Sequence, residues 1–148
     1  MLEKFKKFNI KTVLFSKNDL KSNTILSSLK KVNPDLIVLA GFLLKIPKDI
    51  TLSFKNKIIN IHPALLPLYG GKGMYGENIH KAVIKNKEKT SGLTIHYVND
   101  KYDDGAIIFQ KKIRLEPDET PLSLSKKILK EEHTNYPAEI EKLLTNDQ

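Results

Sequence analysis

Cysteine is absent from this 148-residue chain, and no apolar run approaches the roughly 18 residues of a membrane-spanning helix. Without cysteine, the chain can form neither a disulfide framework nor a thiolate site. Residues 1–7 contain no apolar stretch of the length found in signal peptides. These absences predict a protein with no membrane partner, for which the cytoplasm is the expected location. The length suits a single domain with a buried core, over residues 1–148.

Arginine is almost absent as well, because Arg114 is the only arginine among 25 basic residues. The formal net charge of +8 therefore comes from lysine ammonium groups. Proteins that read base edges and phosphates favour the planar guanidinium of arginine. The charge therefore does not predict a nucleic-acid partner, although it favours a mild attraction for anionic small molecules.

Apolar runs alternate with helical patterns along the chain. Strands are predicted over residues 12–15, 36–40, 58–61, 93–98 and 106–113, and helices over residues 23–31, 47–54, 77–85 and 120–144. Asn23 is the expected N-cap of the first helix, and the all-apolar strand at residues 36–40 is expected to be buried on both faces. The alternation predicts an α/β fold with a mostly parallel, mixed sheet flanked by helices.

Two polar side chains follow a buried strand. Asn60 and His62 are two residues apart, so they point to the same side of an extended chain, and Pro63 biases His62 toward an extended backbone. An amide and an imidazole on one face can stabilise a developing oxyanion and move a proton. A buried, hydrogen-bonded His–Asn pair with no catalytic role explains the same pattern.

A polar segment between the last two strands contains Asp100, Asp103 and Asp104. Their spacing does not match a calcium loop, which needs ligands at alternate positions and a late bidentate Glu. These carboxylates are compatible with a solvated turn. One of them could instead orient and charge His62.

The remaining histidines and the glycine-rich run give weaker signals. His96 is interpreted as a packed strand residue, and neither His80 nor His133 has metal-ligand spacing, so no metal site is predicted. Residues 70–73, Gly-Gly-Lys-Gly, resemble a phosphate cradle in composition but do not match the P-loop pattern.

Four segments in order resemble the formyltransferases that use 10-formyltetrahydrofolate. Residues 60–67 read Asn-Ile-His-Pro-Ala-Leu-Leu-Pro and match the family signature Asn-x-His-Pro-Ser-Leu-Leu-Pro, with Ala64 where Ser is usual. Residues 36–44 look like the folate-pocket strand and turn, and residues 91–98 and 102–108 look like the downstream strands and acidic loop. Glu132-His133 and Tyr136-Pro137 resemble the glycinamide ribonucleotide branch. The resemblance implies a Rossmann-like formyltransferase fold and a cis peptide bond between Leu66 and Pro67.

The resemblance also implies a reaction and a set of site residues. The reaction moves a formyl group from 10-formyltetrahydrofolate, as cosubstrate, to the amine of glycinamide ribonucleotide in purine biosynthesis, without a metal. Asn60, His62 and Asp103 would be catalytic, and Glu132 would bind the ribonucleotide. The implied folate contacts are Leu43, Leu44, Lys45, Ile46, Ile58, Asn60, Asn99, Asp100, Lys101, Tyr102 and Asp103.

Three alternatives remain beside this interpretation. A methionyl-tRNA formyltransferase would usually carry Arg-Gly where this chain has Gly70-Gly71, and it would need an RNA-binding domain after residue 148. A formyltetrahydrofolate hydrolase transfers the formyl group to water. A catalytically impaired folate-binding fragment is the third.

No glycine precedes Gly41. An α/β nucleotide-binding fold usually begins with a strand and a glycine-rich turn whose N–H groups bind phosphate, and relatives in this family have Gly-x-Gly-Ser-Asn there. We therefore expect the first strands and this phosphate-binding segment to be missing. The consequences would be an exposed apolar edge of the sheet, folate binding, weak binding of the ribonucleotide, and poor or no turnover by the isolated chain.

Overall fold

The structure is a computed structural model that describes residues 7–146, and its chain divides into two compact units, Met1–Asn33 and Pro34–Gln148. The first unit contains helix α1 (Lys17–Lys21) and helix α2 (Asn23–Val32). Ser22, rather than the predicted Asn23, caps α2, because its hydroxyl accepts a hydrogen bond from the N–H of Thr24. The cap prediction was therefore wrong by one residue.

The strand predicted at residues 12–15 does not form, since residues 10–16 have no regular structure. Leu14 is 79% exposed, and Val13 is exposed as well. A strand exists only through hydrogen bonds to a neighbour. Residues 7–33 contain no strand that could provide such bonds to residues 12–15. The apolar composition of this run was therefore insufficient to make it a strand.

The second unit is built on a four-stranded sheet in the order β1-β2-β3-β4. The strands are β1 (Ile37–Leu39), β2 (Ile58–His62), β3 (Thr90–Tyr97) and β4 (Ile107–Arg114). The expected mixed sheet is confirmed, but it is not mostly parallel within these four strands. Only β1 and β2 run parallel, whereas β2–β3 and β3–β4 are antiparallel.

β1 lies at one edge of this sheet, and that position explains its exposure. Val38 is 38% exposed, and its two strand neighbours are only half-buried. The prediction of a strand buried on both faces was therefore wrong, because an all-apolar run does not distinguish an edge strand from a central one.

Three helices complete the second unit: α3 (Lys48–Ser53), α4 (Glu77–Lys85) and α5 (Pro121–Asn146). Residues from the central strands and from α4 and α5 form a shared hydrophobic core, which includes Ile59, Ile79, Val83, Leu93, Ile95, Leu124 and Ile128. The hydroxyl of Tyr136 on α5 donates to the carbonyls of Leu39 and Ile59, at 2.9 and 3.3 Å. None of the described helices combines the length and apolar character that crossing a bilayer requires.

Candidate active site

A cleft of about 430 Å³ opens where β2 ends. It contains all three predicted catalytic side chains, together with Glu132 and most of the predicted folate contacts. Its lining includes Leu43, Leu44, Lys45, Ile46, Asn60, His62, Asn99, Lys101, Tyr102, Asp103 and Glu132. Two predicted folate contacts do not line it: Ile58 is buried in the sheet, and Asp100 is exposed on the loop.

His62 is buried, and both of its ring nitrogens face oxygen acceptors. Its Nε2 lies 2.8 Å from the carbonyl of Tyr69, and its Nδ1 lies 3.6 Å from Oδ1 of Asp103. A carbonyl can only accept, so the ring must donate from Nε2. The protonated ring satisfies both nitrogens, because imidazolium has two N–H donors. This arrangement places the buried ring of His62 between a carbonyl and a carboxylate.

Asp103 is held in place by its backbone conformation and by one backbone donor. Its φ of +51° places it in the left-handed region, which aspartate tolerates better than most residues. Its Oδ2 accepts from the N–H of Gly71 at 2.9 Å, while its Oδ1 faces the histidines. Asp104, by contrast, is exposed and contacts Asn99 and Lys101. Of these two aspartates, only Asp103 lies within 4 Å of His62.

His96 is a fourth polar side chain at this point, and its position in the site was not predicted from the sequence. β2 and β3 pair Asn60 directly with His96, so Nδ2 of Asn60 lies 3.3 Å from Nε2 of His96. The other ring nitrogen, Nδ1, lies 2.8 Å from the carbonyl of Tyr97 and must donate to it. His96 is 2% exposed, and burial lowers its pKa. The neutral ring therefore accepts from Asn60 and orients that amide.

The register between β2 and β3 is the signal that would have placed His96 in the site. Within β3 the residue is packed, as the sequence indicated, and nothing in its own strand distinguishes it. The antiparallel pairing brings residues 36 positions apart to opposite each other. No short-range spacing encodes that pairing.

His80 on α4 also lines the cleft. It is buried, and its Nδ1 has no hydrogen-bond partner among the described residues. Burial lowers the pKa of His80. Although three histidines and Asp103 line the cleft, the described part of the chain has no group of three or more His, Cys, Asp or Glu side chains arranged to hold a metal ion.

Glu132 extends the cleft onto α5, where Ile128 and Leu129 also line it. Burial raises the pKa of the Glu132 carboxyl. A carboxyl group of this kind can bind the hydroxyl or amine groups of a polar ligand.

Two predicted folate contacts from different segments meet across the cleft. Nζ of Lys45 lies 5.8 Å from the centre of the Tyr102 ring, within the range of a cation–π contact. Lys45 follows β1, and Tyr102 belongs to the loop between β3 and β4. The contact brings together the two segments that the resemblance assigns to the folate. Their role in binding stays a prediction.

The arrangement matches a known family. Residues 2–140 match the family described as formyl transferase. The chain is 44% identical over 117 residues to "Phosphoribosylglycinamide formyltransferase, chloroplastic" of Arabidopsis thaliana, an alignment that covers 79% of this chain and 40% of that protein. It is 32% identical to the phosphoribosylglycinamide formyltransferase of Bacillus subtilis, over 97% of this chain and 74% of the relative.

Solved structures agree with the sequence matches. The crystal structure of phosphoribosylglycinamide formyltransferase from Bacillus halodurans is similar, with a TM-score of 0.86 and 30% identity over 99% of this chain and 76% of that chain. The enzyme from Anaplasma phagocytophilum gives a TM-score of 0.83 at 33% identity, over 94% of this chain and 64% of that chain. The chain thus spans about two fifths of the length of the Arabidopsis relative and about three quarters of the Bacillus relatives. Because both sequence and fold match over most of its length, the chain belongs to the formyl transferase family.

Proposed function

We propose that this chain transfers a formyl group from 10-formyltetrahydrofolate to the amine of glycinamide ribonucleotide, a step of purine biosynthesis. The observation that carries the proposal is the placement of His62 between the Tyr69 carbonyl and Asp103, with Asn60 in the same cleft. The family membership and the names of the relatives support the choice of donor and acceptor. A cytoplasmic location stays a prediction.

The chemistry requires donors for a developing oxyanion. When the substrate amine attacks the formyl carbon, negative charge builds up on the formyl oxygen, and fixed N–H donors stabilise it. Asn60 is suited to this role because its amide nitrogen carries two hydrogens, and the contact with His96 uses only one. The other hydrogen is available to the formyl oxygen.

His62 supplies the second donor, with Asp103 as its counter-charge. The ring can deliver a proton to the folate nitrogen as the carbon–nitrogen bond to the folate breaks, and the proton that the substrate amine loses on forming its new bond to the formyl carbon restores the ring. Both ring nitrogens already have partners within the protein. Donation to the substrate therefore requires one of these contacts to be exchanged, and the 3.6 Å contact with Asp103 is the longer of the two.

The two substrates occupy different parts of the cleft in this proposal. The folate lies between residues 43–46, where Leu43, Leu44 and Ile46 provide apolar side chains, and the mostly polar residues 99–103. The ribonucleotide lies toward α5, within reach of Glu132. The two binding regions meet at Asn60 and His62, so the amine and the formyl carbon come together there.

A formyl-transfer assay on the wild-type chain and on His62→Ala tests the proposal. Loss of a transition-state donor of this kind lowers turnover by roughly 10²–10³-fold. The fold should survive, because His62 is at the end of its strand, and circular dichroism checks this. His133→Ala is the matched control, since His133 is exposed on α5 and does not line the cleft.

Two results would contradict the proposal. One is single-turnover formyl transfer at the wild-type rate in His62→Ala. The other is release of formate to water by the wild-type chain at a rate that does not depend on glycinamide ribonucleotide, which would indicate a hydrolase.

A further inference from the structure

The backbone segment at residues 69–71 contacts both members of the His62–Asp103 pair. The carbonyl of Tyr69 accepts from Nε2 of His62 at 2.8 Å, and the N–H of Gly71 donates to Oδ2 of Asp103 at 2.9 Å. Between them, Gly70 lies so close to the site that an added Cβ would lie 3.2 Å from Cβ of Asp103. The position of this short segment therefore sets the positions of both side chains.

The segment adopts a backbone conformation that needs support. Tyr69 has a φ of +57°, in the left-handed region that bulky residues seldom occupy. Non-glycine residues persist there only when surrounding contacts hold them, and such positions concentrate at functional sites. Contacts of the Tyr69 side chain provide that support.

Two residues that follow α4 hold the hydroxyl of Tyr69. It donates to Oε1 of Glu88 at 2.6 Å and accepts from Nδ2 of Asn86 at 2.9 Å. Both partners are fixed to the end of the helix, because the N–H of Asn86 bonds to the carbonyl of Ala82 and that of Glu88 bonds to the carbonyl of Val83. Burial and the Glu88 carboxylate raise the pKa of Tyr69, so its hydroxyl keeps its hydrogen at neutral pH.

We propose that Tyr69 is a positioning residue, whose hydroxyl, held by Glu88 and Asn86, fixes the backbone at residues 69–71 against His62 and Asp103. Tyr69 thereby also selects the form of His62 that carries a hydrogen on Nε2, since a carbonyl can only accept. The catalytic consequence of this arrangement rests on the proposed formyl transfer, but the structural consequence does not. The two can therefore be tested separately.

The structural test is the imidazole ¹⁵N NMR spectrum of His62. Its resonances are assigned as those that disappear in His62→Ala. In the wild-type chain we expect a slowly exchanging Nε2–H resonance at neutral pH. Tyr69→Phe keeps the ring and removes the hydroxyl, so the segment loses its anchor while the packing is retained. We expect the Nε2–H resonance of this variant to exchange faster with water, because the Tyr69 carbonyl no longer holds that hydrogen in place.

The kinetic test uses Glu88, the hydrogen-bond acceptor of Tyr69. Glu88→Ala removes the acceptor and should lower kcat roughly 10-fold, as Tyr69→Phe should, with both KM values within about twofold of wild type. Glu88→Gln keeps an acceptor oxygen and should restore kcat. The double variant Tyr69→Phe/Glu88→Ala should be no slower than either single variant, because both break the same contact. Glu77→Ala, at the other end of α4, is the control that leaves kcat unchanged.

The outcomes separate this inference from the proposed function. An unchanged His62 spectrum in folded Tyr69→Phe and Glu88→Ala would overturn the role of Tyr69, even if the wild-type chain transfers formyl groups. A rise in KM without a fall in kcat would also overturn it, because that pattern indicates substrate binding. If Tyr69→Phe and Glu88→Ala change the His62 spectrum but the wild-type chain transfers no formyl group, the role of Tyr69 is supported and the proposed function is rejected.

Discussion

At His62, Asp103 and Asn60, each side chain has a partner that restricts its orientation. The Tyr69 carbonyl and Asp103 face the two nitrogens of His62, the Gly71 N–H holds Asp103, and His96 accepts from Asn60. Fixed orientation matters because donors aimed in advance at a developing charge need no reorganisation during the reaction. In the proposed reaction these partners would hold the donors in place before the charge develops.

Asp103→Asn tests the charge at this site. The variant keeps the shape and an oxygen for the Gly71 N–H, but it places a neutral amide beside His62. We expect kcat to fall by roughly 10²-fold, the scale of acid–base contributions, because the protonated ring loses its counter-charge. Asp104→Asn is the matched control and should stay near wild type, since the exposed Asp104 carboxylate pairs with Asn99 and Lys101 rather than with His62. Equal losses in the two variants would show that the charge at position 103 has no special role.

At the scale of elements, close packing between β3 and β4 positions the loop that carries Asp103. These strands pair along residues 90–96 and 107–114, with an irregularity between Ile95 and His96. Gly92 lies against β4 so closely that an added Cβ would lie 2.0 Å from the carbonyl oxygen of Lys111. Because the obstacle is backbone, the strands themselves would have to move apart.

Gly92→Ala and Ser91→Ala test this packing as a neighbouring pair. We expect Gly92→Ala to lower the free energy of unfolding by roughly 1–3 kcal/mol or more, the scale of overpacking. Ser91→Ala should be neutral or slightly stabilising, because the buried Ser91 hydroxyl has no hydrogen-bond partner among the described residues. Denaturant unfolding measures both changes. A destabilisation of the same size in both variants would contradict the packing argument.

At the scale of the whole molecule, buried histidines link stability to pH. Burial lowers the pKa of both His80 and His96 from the ordinary value of 6.5. Below pH 6.5 the unfolded chain therefore binds protons that the folded chain does not bind. As a result, the free energy of unfolding decreases as the pH is lowered. Glu132 acts with the opposite sign, because burial raises its pKa above 4.5. Its contribution to the free energy of unfolding is therefore lost as the pH rises through its raised pKa.

Thermal melts between about pH 7.5 and 5.5 test this linkage. We expect Tm to fall toward the acidic end. His80→Leu should make that dependence shallower, because it removes one buried titrating group whose Nδ1 has no partner in the described chain. A pH dependence that His80→Leu leaves unchanged would show that His80 does not contribute to it.

Local elements and the identity of the family could be predicted from the sequence. Residues 77–85 form the predicted helix, residues 58–61 lie in β2, and the predicted cis peptide bond joins Leu66 and Pro67. Periodic apolar positions, prolines and glycines act over a few neighbouring residues, so a sequence pattern displays them directly. The motif at residues 60–67 likewise contains Asn60 and His62 within one short run. For the same reason, nearly all the predicted site residues lie in one cleft.

Contacts between distant segments were decided only by the tertiary structure. Whether an apolar run becomes a strand depends on a neighbouring strand that can pair with it. Residues 12–15 do not form a strand, and β1 is a half-exposed edge strand. The pairing of Asn60 with His96 depends on the register of β2 and β3, and the support of His62 by Tyr69 depends on a loop anchored at Glu88. Such contacts are selected by the packing of the whole sheet and its helices, because burial and register are satisfied jointly by many residues. The sequence therefore determined which groups could react, and the folded chain determined which partners orient them.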